Sequence, residues 1–197
     1  MCAIIGFKGK YDQDLLTRVF DNSRIRGLHA FGFSYIDKGE FGGRIWWNYE
    51  SFVKDIHAKA PSEFIAHFRY ATSGDYLQPE NNQPLYDSGV AIAFNGVISQ
   101  KSKAAMEKEF ALRLRAENDG YVLLQKYTDD QFTSSPNITF AMVGLDKDGL
   151  FALKNNKRPL WYTKNDDFVL LASTRDIMER SGIQYPTQID NLRITRW

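Results

Sequence analysis

Apolar runs and amphipathic stretches alternate along the chain, and their periods predict its elements. Short runs rich in β-branched and aromatic residues are typical of strands, and apolar residues recurring roughly every three to four positions are typical of helices. The runs predict strands over 2–8, Phe31–Ile36, Gly43–Tyr49, Glu63–Tyr70, Gly89–Ser99, Ile138–Leu145, Leu150–Leu153, Leu160–Thr163, Phe168–Ser173 and Asn191–Arg196. An amphipathic stretch predicts a helix over Asp12–Asn22, and an Ala-, Lys-, Glu- and Leu-rich stretch predicts one over Lys101–Arg115. Further helices are predicted over Ser51–Lys59, Gly120–Tyr127 and Thr174–Ser181.

The order of these elements predicts how they are layered. Two sets of strands are separated by the helix pair at 101–127, which favours a layered α+β domain with two antiparallel sheets. No repeat or linker divides the chain, so one domain is expected over 1–197. The polar segment Ala71–Ser88 joins two strands, and a loop of that length inside a compact domain is usually functional.

Composition narrows the classes of function. Lys and Arg number 25 against 24 Asp and Glu, so no excess charge favours nucleic acid or an anionic membrane, and a small-molecule substrate fits better. No apolar stretch is long enough to span a bilayer, and no signal peptide is recognisable. A lone cysteine cannot form an internal disulfide, which favours a reducing cytoplasm. The three histidines of the chain lack metal-ligand spacing, so no metal site is expected. No cofactor is predicted either.

The single cysteine, Cys2, stands at the head of the first predicted strand. If Met1 is removed, Cys2 carries a nucleophilic thiol and a free α-amine, whose pKa of about 8 lets it accept the thiol proton near neutral pH. A buried apolar role in the strand is the alternative, since a lone cysteine is often a small core residue.

Seven short motifs occur in order over nearly the whole chain. They read MCAIIG at the start, RG...FG at 26–32, HFRYATSG at 67–74, NNQP at 81–84, FNGVI at 94–98, END at 117–119 and KRPL at 157–160. Together they resemble the glutaminase domain of class II glutamine amidotransferases, the N-terminal-nucleophile hydrolases found in glucosamine-6-phosphate synthase, amidophosphoribosyltransferase and asparagine synthetase. The resemblance implies a four-layer αββα sandwich of two mainly antiparallel sheets, and hydrolysis of glutamine to glutamate and ammonia.

The resemblance also implies a role for individual residues around the reacting amide. Cys2 would be the nucleophile, with its own amine as the base. The side chain of Asn95 and the backbone N–H of Gly96 would form the oxyanion hole, which stabilises the negative oxygen of the tetrahedral intermediate. In isolation an Asn-Gly pair is more often a hairpin turn. Here it lies inside the apolar run Val90–Ile98, which argues against an exposed turn.

Glutamine has a zwitterionic head, and its recognition requires one cation and one anion. By resemblance Arg69 would bind the carboxylate and Asp119 the ammonium group, with Thr72 adding hydrogen bonds. Arg26 would support the strand of Cys2. The ordinary alternatives are an ion-pair role for Arg69, a helix N-cap for Asp119 and a surface position for Arg26. The segment Ser73–Asn81 corresponds to the loop that closes over glutamine in the family.

Several positions depart from the family pattern. His29 stands where Asp is usual, Phe94 where many members have His before Asn-Gly, and Gln83 where His precedes Pro. Gly120-Tyr121 replaces a common Thr or Ser followed by Glu. None of these changes removes a proposed nucleophile, oxyanion or head-group residue.

Three functions remain open at this point. The first is a glutamine-dependent amidotransferase subunit that supplies ammonia to a separate synthetase or transferase, since no such domain follows 190–197 in this sequence. The second is a free-standing hydrolase of γ-glutamyl amides or peptides, which would use the same head-group residues. The third is a catalytically silent binding module in which Cys2 is merely packed.

Overall fold

A computed structural model describes residues 2–71 and 74–197. Its strands are β1 Ala3–Gly9, β2 Ala30–Asp37, β3 Glu40–Trp46, β4 Glu63–Arg69, β5 Leu85–Asp87, β6 Val90–Val97, β7 Thr139–Asp146, β8 Gly149–Lys154, β9 Trp161–Lys164, β10 Phe168–Ala172, β11 Thr187–Gln188 and β12 Thr195–Arg196. Its helices are α1 Gln13–Arg24, α2 Tyr49–Lys59, α3 Lys103–Phe110, α4 Gly120–Lys126, α5 Asp130–Thr133 and α6 Arg175–Arg180, with a 3₁₀ helix at Pro79–Asn81.

The strands form two sheets in which every pairing is antiparallel. Sheet A has seven strands in the order β11-β9-β10-β1-β4-β2-β3, and sheet B has five in the order β12-β8-β7-β6-β5. Strand β1 therefore lies in the middle of sheet A, flanked by β10 and β4.

Three apolar clusters show that the sheets and helices form four layers. One cluster packs α1, α2 and α6 against the outer face of sheet A. Another packs α3 and α4 against the outer face of sheet B. The third lies between the sheets and contains Ile4 and Ile65 from sheet A with Ala93 and Val143 from sheet B. The predicted α+β sandwich of two antiparallel sheets is confirmed.

Most predicted elements are present, but several boundaries were wrong. The strand predicted at Gly43–Tyr49 is β3 Glu40–Trp46, because the side chain of Asn48 accepts from Ser51 N at 2.8 Å and starts α2 at Tyr49. The helix predicted at Lys101–Arg115 runs only from 103 to 110, because Ser102 caps its start and Ala111 adopts a left-handed backbone with φ 52°.

The segment Ala71–Ser88, predicted as a loop, contains two regular elements. They are the 3₁₀ helix at Pro79–Asn81 and strand β5, which forms an edge of sheet B. The predicted terminal strand Asn191–Arg196 is reduced to β12, while β11 and α5 were not predicted. All of these missed elements are short, so no sequence period identifies them.

Candidate active site

A cleft of about 440 Å³ opens where the ends of the two sheets meet α4. Cys2, Arg69, Gly96 and Asp119 all contribute to its wall, although up to 117 positions separate them along the chain. Four of the residues predicted from the motifs thus lie at one site.

Strand alternation explains why these side chains meet. Successive side chains of a strand point to opposite faces. Cys2 is in phase with Ile4, which is buried between the sheets, and Arg69 is in phase with Ile65 in the same layer. Asn95 on β6 is in phase with Ala93, which faces sheet A from the other side. The same alternation that builds the core between the sheets therefore directs Cys2 and Arg69 into the cleft, whereas Asn95 is not among the described residues of its wall.

The thiol of Cys2 is held beside the end of β4. Its Sγ donates to the carbonyl oxygen of Tyr70 at 3.8 Å, and Arg26 Nε donates to the carbonyl oxygen of Cys2 at 3.2 Å. Burial raises the pKa of this thiol above its usual value, and the positive charges of Arg69 and Arg26 oppose that rise. A thiol in this setting needs a base to become a nucleophile at neutral pH.

The guanidinium of Arg69 joins the cleft to the segment that follows β4. Its Nη1 donates to the carbonyl oxygen of Asn81 and to Asn82 Oδ1, the latter at 2.8 Å, and its Nη2 donates to Gly74 O at 3.3 Å. Both ends of the segment 74–82 are therefore tied to one cation. This arrangement places a planar donor group, suited to a carboxylate, in the wall of the cleft.

Asp119 precedes α4 but does not cap it with its side chain. Its Oδ2 instead accepts from the backbone N–H groups of Ile98 and Ser99, at 2.7 and 3.0 Å. Burial raises the pKa of this carboxyl, and the N–H groups of Ser99 and Ile98 oppose that rise. The ordinary N-cap explanation of Asp119 does not fit, because the carboxylate is directed toward the end of β6.

Asn95 and Gly96 lie within β6, paired with Ala141 and Phe140 of β7, so they do not form a hairpin turn. Asn95 is 6% exposed. A Cβ atom on Gly96 would lie 1.9 Å from Thr139 O, so the strand contact alone requires glycine here. Close strand packing therefore explains the glycine at position 96, in addition to its predicted role in the oxyanion hole.

His67 is a cleft residue that the motif analysis did not single out. It is 1% exposed, and neither of its ring nitrogens has a hydrogen-bond partner among residues 2–71 and 74–197. Burial, aided by the charge of Arg69, lowers its pKa to about 3. The imidazole is therefore neutral near pH 7 and a weak base. Its place in the HFRYATSG motif, two positions before Arg69 on the same strand face, was the signal available in the sequence.

Two departures from the family pattern compensate each other in space. A Cβ atom on Gly120 would lie 2.3 Å from Phe94 Cε1, so the ring at position 94 occupies the room that a side chain at 120 would need. A third departure, Gln83, accepts from Phe94 N through its Oε1 at 2.6 Å and so stabilises the backbone just before Asn95.

Two sequence predictions fall outside the described residues. Thr72, a predicted head-group ligand, and Met1, whose removal the mechanism requires, are not among 2–71 and 74–197. Within those ranges no cluster of His, Cys, Asp and Glu side chains could hold a metal ion. No helix in the same ranges has the length and apolar character needed to cross a membrane.

Comparison with solved structures finds related folds at low sequence identity. The chain superposes on glutamine phosphoribosylpyrophosphate amidotransferase from B. subtilis with a TM-score of 0.71 at 18% identity, covering 95% of this chain and 44% of that one. An allosteric regulatory enzyme of purine biosynthesis gives 0.75 at 19% identity, covering 96% and 45%. A protein from Silicibacter pomeroyi, described as a glutamine aminotransferase class-II domain protein, gives 0.53 at 12% identity, covering 87% and 88%.

Sequence comparisons add nothing to these structural matches. No family model and no curated protein matches the chain. The chain spans under half the length of the first two solved structures. Two antiparallel sheets, helices on both outer faces and these superpositions lead to one conclusion: the chain has the N-terminal-nucleophile sandwich fold and is similar to the glutamine domain of class II amidotransferases.

Proposed function

We propose that this protein hydrolyses the side-chain amide of glutamine to glutamate and ammonia. The observation that carries the proposal is the meeting of Cys2, Arg69 and Asp119 in one cleft of about 440 Å³. A nucleophile, a guanidinium and a carboxylate are the groups that a zwitterionic amide substrate requires. The fold shared with glutamine amidotransferases supports the same substrate.

In this proposal the two charged residues bind the head group of glutamine. Arg69 takes the α-carboxylate and keeps its contacts to the segment 74–82, so substrate and loop share one cation. Asp119 takes the α-ammonium group, while the amides of Ile98 and Ser99 hold its carboxylate in place. Thr72 is the further head-group ligand that the motif suggests.

Chemistry begins when the Cys2 thiol loses its proton. Because burial raises the pKa of that thiol, a base is needed. His67 is the one imidazole among the described residues of the cleft wall, and with a pKa of about 3 it is a weak base. We therefore assign the proton transfer to the α-amine of Cys2, which exists only once Met1 has been removed.

The sulfur then attacks the amide carbon of glutamine, and the carbonyl oxygen becomes negative. The carboxamide of Asn95 and the N–H of Gly96 stabilise that oxygen in this mechanism, and losing one such donor typically costs about 10²–10³ in rate. The proton held by the amine passes to the leaving nitrogen, and ammonia departs from a thioester. Water hydrolyses the thioester, which releases glutamate and restores the thiol.

We further propose that the ammonia is used by a separate synthetase or transferase partner. Its support is the similarity in fold to a glutamine phosphoribosylpyrophosphate amidotransferase. The test is to purify the protein from its source with associated proteins and add candidate acceptor substrates. Glutamine consumption coupled to amination of an acceptor supports the partner, and consumption that yields only free ammonia with every associated protein opposes it.

Glutaminase activity is tested with protein whose N-terminal residue has been verified as Cys2. We expect release of glutamate and ammonia by the wild-type protein and none by C2A. D119N should raise the KM for glutamine with a smaller change in kcat. D129N is the matched control, because Asp129 caps α5 by accepting from Phe132 N and does not line the cleft. Equal activity of C2A and wild type would exclude the mechanism.

A substrate panel separates the proposed function from the hydrolysis of γ-glutamyl peptides. Both activities use the same head-group residues, so the comparison is between glutamine and γ-glutamyl dipeptides at equal concentration. A higher kcat/KM for glutamine is expected. A strong preference for the dipeptides would replace the amidotransferase assignment, and inactivity toward every substrate would favour a silent binding module.

A further inference from the structure

His29 is hydrogen-bonded to the end of β4, where Arg69 lies. It lies in the connection between α1 and β2, half-buried, and its backbone N–H donates to Arg69 O at 3.0 Å. Its ring nitrogen Nδ1 accepts from the backbone N–H of Ala71 at 2.9 Å. One residue therefore bonds to the chain on both sides of Tyr70. Nδ1 carries no proton in this arrangement, because it accepts.

The imidazole also stacks with two tyrosine rings. The ring centroid of His29 is 5.0 Å from that of Tyr70 and 5.0 Å from that of Tyr76, with interplanar angles of 27° and 25°. The indole of Trp47 holds Tyr76 in turn, because its Nε1 donates to Tyr76 O at 2.9 Å. The residues at positions 70 and 76 are thus both stacked on the ring of His29.

The segment 69–71, to which His29 bonds, contributes directly to the cleft. Arg69 contributes the guanidinium, and the carbonyl oxygen of Tyr70 accepts from the Cys2 thiol. Neither His29 nor Tyr76 is part of the cleft wall. Any influence of His29 on glutamine must therefore pass through residues 69–71, of which Arg69 and Tyr70 line the cleft.

We propose that His29 is a positioning residue that fixes Arg69 and Tyr70 O for glutamine binding through the hydrogen bond from Ala71 N to its Nδ1. The proposal rests on the proposed glutaminase function. Position 29 must supply a hydrogen-bond acceptor, because without one the half-buried backbone N–H of Ala71 would have no partner. The stacked rings add packing but supply no acceptor.

Two variants separate the hydrogen bond from the stack. H29N keeps an acceptor near the position of Nδ1 and loses the ring, whereas H29F keeps a ring for stacking and loses the acceptor. We expect H29F to raise the KM for glutamine about tenfold with a smaller fall in kcat, the size of effect typical of an unpaired buried donor. H29N should restore KM to within about threefold of wild type.

A matched control removes a histidine whose hydrogen bonds lie elsewhere. His57 on α2 bonds through its two ring nitrogens to Tyr11 Oη at 2.7 Å and Thr17 Oγ1 at 2.9 Å, and it is not part of the cleft wall. H57F should leave the KM for glutamine at the wild-type value. Thermal unfolding of each variant is measured alongside, so that a general loss of stability is recognised.

A second measurement reads the same contact without glutamine. Because Cys2 is the only cysteine, iodoacetamide alkylation reports on its thiol alone. H29F should alkylate several-fold faster than H29N and wild type, since the segment carrying Tyr70 O is released. If wild type failed to hydrolyse glutamine, the glutaminase proposal would fall and this arm would still decide the role of His29.

Two results would overturn the role of His29. One is H29F with wild-type KM and wild-type alkylation. The other is H29N impaired as much as H29F, which would assign the effect to stacking rather than to the acceptor.

Discussion

At the scale of single residues, His67 shows how a buried group couples stability to pH. Its pKa of about 3 in the folded protein lies far below its usual 6.5, because burial disfavours the charged ring. Below pH 6.5 the unfolded chain binds a proton there that the folded chain does not. The free energy of unfolding should therefore fall as the pH drops from about 6.5 toward 3, by up to about 1.4 kcal/mol per unit.

The variant H67L isolates this contribution. Urea unfolding of wild type and H67L between about pH 4.5 and 6.5 should give a shallower acid decline in the variant. The two proteins differ only at position 67, so the difference between their slopes reports on His67. Equal slopes would mean that His67 has a partner in solution that stabilises its charged form.

Single residues also mark the limit of prediction from sequence. The motifs identified Cys2, Arg69 and Asp119, which line one cleft. They did not single out His67, because the sequence does not show that its ring is buried without a hydrogen-bond partner among the described residues. They also did not show that Arg69 holds the segment 74–82, since those contacts depend on how the loop folds back.

At the scale of elements, the junction of β6 and α4 is close-packed around Phe94 and Gly120. A Cβ atom on Gly120 would also lie 2.7 Å from Leu85 Cδ1, so the space is closed from two sides. G120A should lower the free energy of unfolding by about 1–3 kcal/mol, the usual cost of overpacking.

A double-mutant cycle tests whether the Phe94 ring is the obstacle. F94L removes the ring, and the double variant G120A/F94L should lose less stability than the sum of the single losses, by at least about 0.5 kcal/mol. Urea unfolding of the four proteins supplies the numbers. Additive losses would show that positions 94 and 120 do not compensate each other.

Element boundaries followed from local chemistry that periodicity cannot reveal. The helix-forming composition continues past Phe110 to Arg115, yet α3 ends at Phe110 because Ala111 adopts a left-handed backbone. Strand β5 has three residues and follows Pro84, so its pairing with β6 arises from the sheet and not from its own sequence. Longer periodic elements such as α1 and β6 lie close to their predicted places.

At the scale of the whole molecule, an ion pair links β12, the edge strand of sheet B near the end of the sequence, to β7 in the same sheet. Arg196 on β12 donates through Nη1 and Nη2 to the two oxygens of Asp146, at 2.9 and 2.8 Å. Burial alone would raise the pKa of Asp146, but Arg196 and the N–H of Asp148 lower it. The stabilisation is therefore present above the ordinary carboxyl pKa and is lost as the pH falls through the lowered value.

R196M should destabilise the protein by about 1–2 kcal/mol, because it leaves the mostly buried Asp146 carboxylate without its cation. The partial exposure of Arg196 limits the size of the effect. R193M is the control, since Arg193 is exposed and forms no salt bridge within 2–71 and 74–197. Thermal unfolding at neutral pH makes the comparison. Equal melting temperatures for the two variants would contradict the account.

The layered architecture was predictable because it follows from counting strands and helices in order. Two sets of strands separated by helices predicted two antiparallel sheets, and the resemblance carried by the motifs predicted the four-layer sandwich. Both features are present in the structure. The sheet order could not be read from the sequence. It places β1 between β10 and β4, which brings Cys2 beside Arg69. That adjacency depends on pairings between residues 55 to 167 positions apart.

The central claim is that Cys2 is a nucleophile aimed at a bound glutamine. The most direct measurement treats the protein with an electrophilic glutamine analogue, a diazoketone, and locates the adduct by mass spectrometry of the N-terminal peptide. The account predicts one adduct per chain on a Cys2 that has lost Met1, protection by excess glutamine, and no adduct on C2A. A protein with Cys2 at its N-terminus that remained unlabelled, or that was labelled elsewhere, would contradict it.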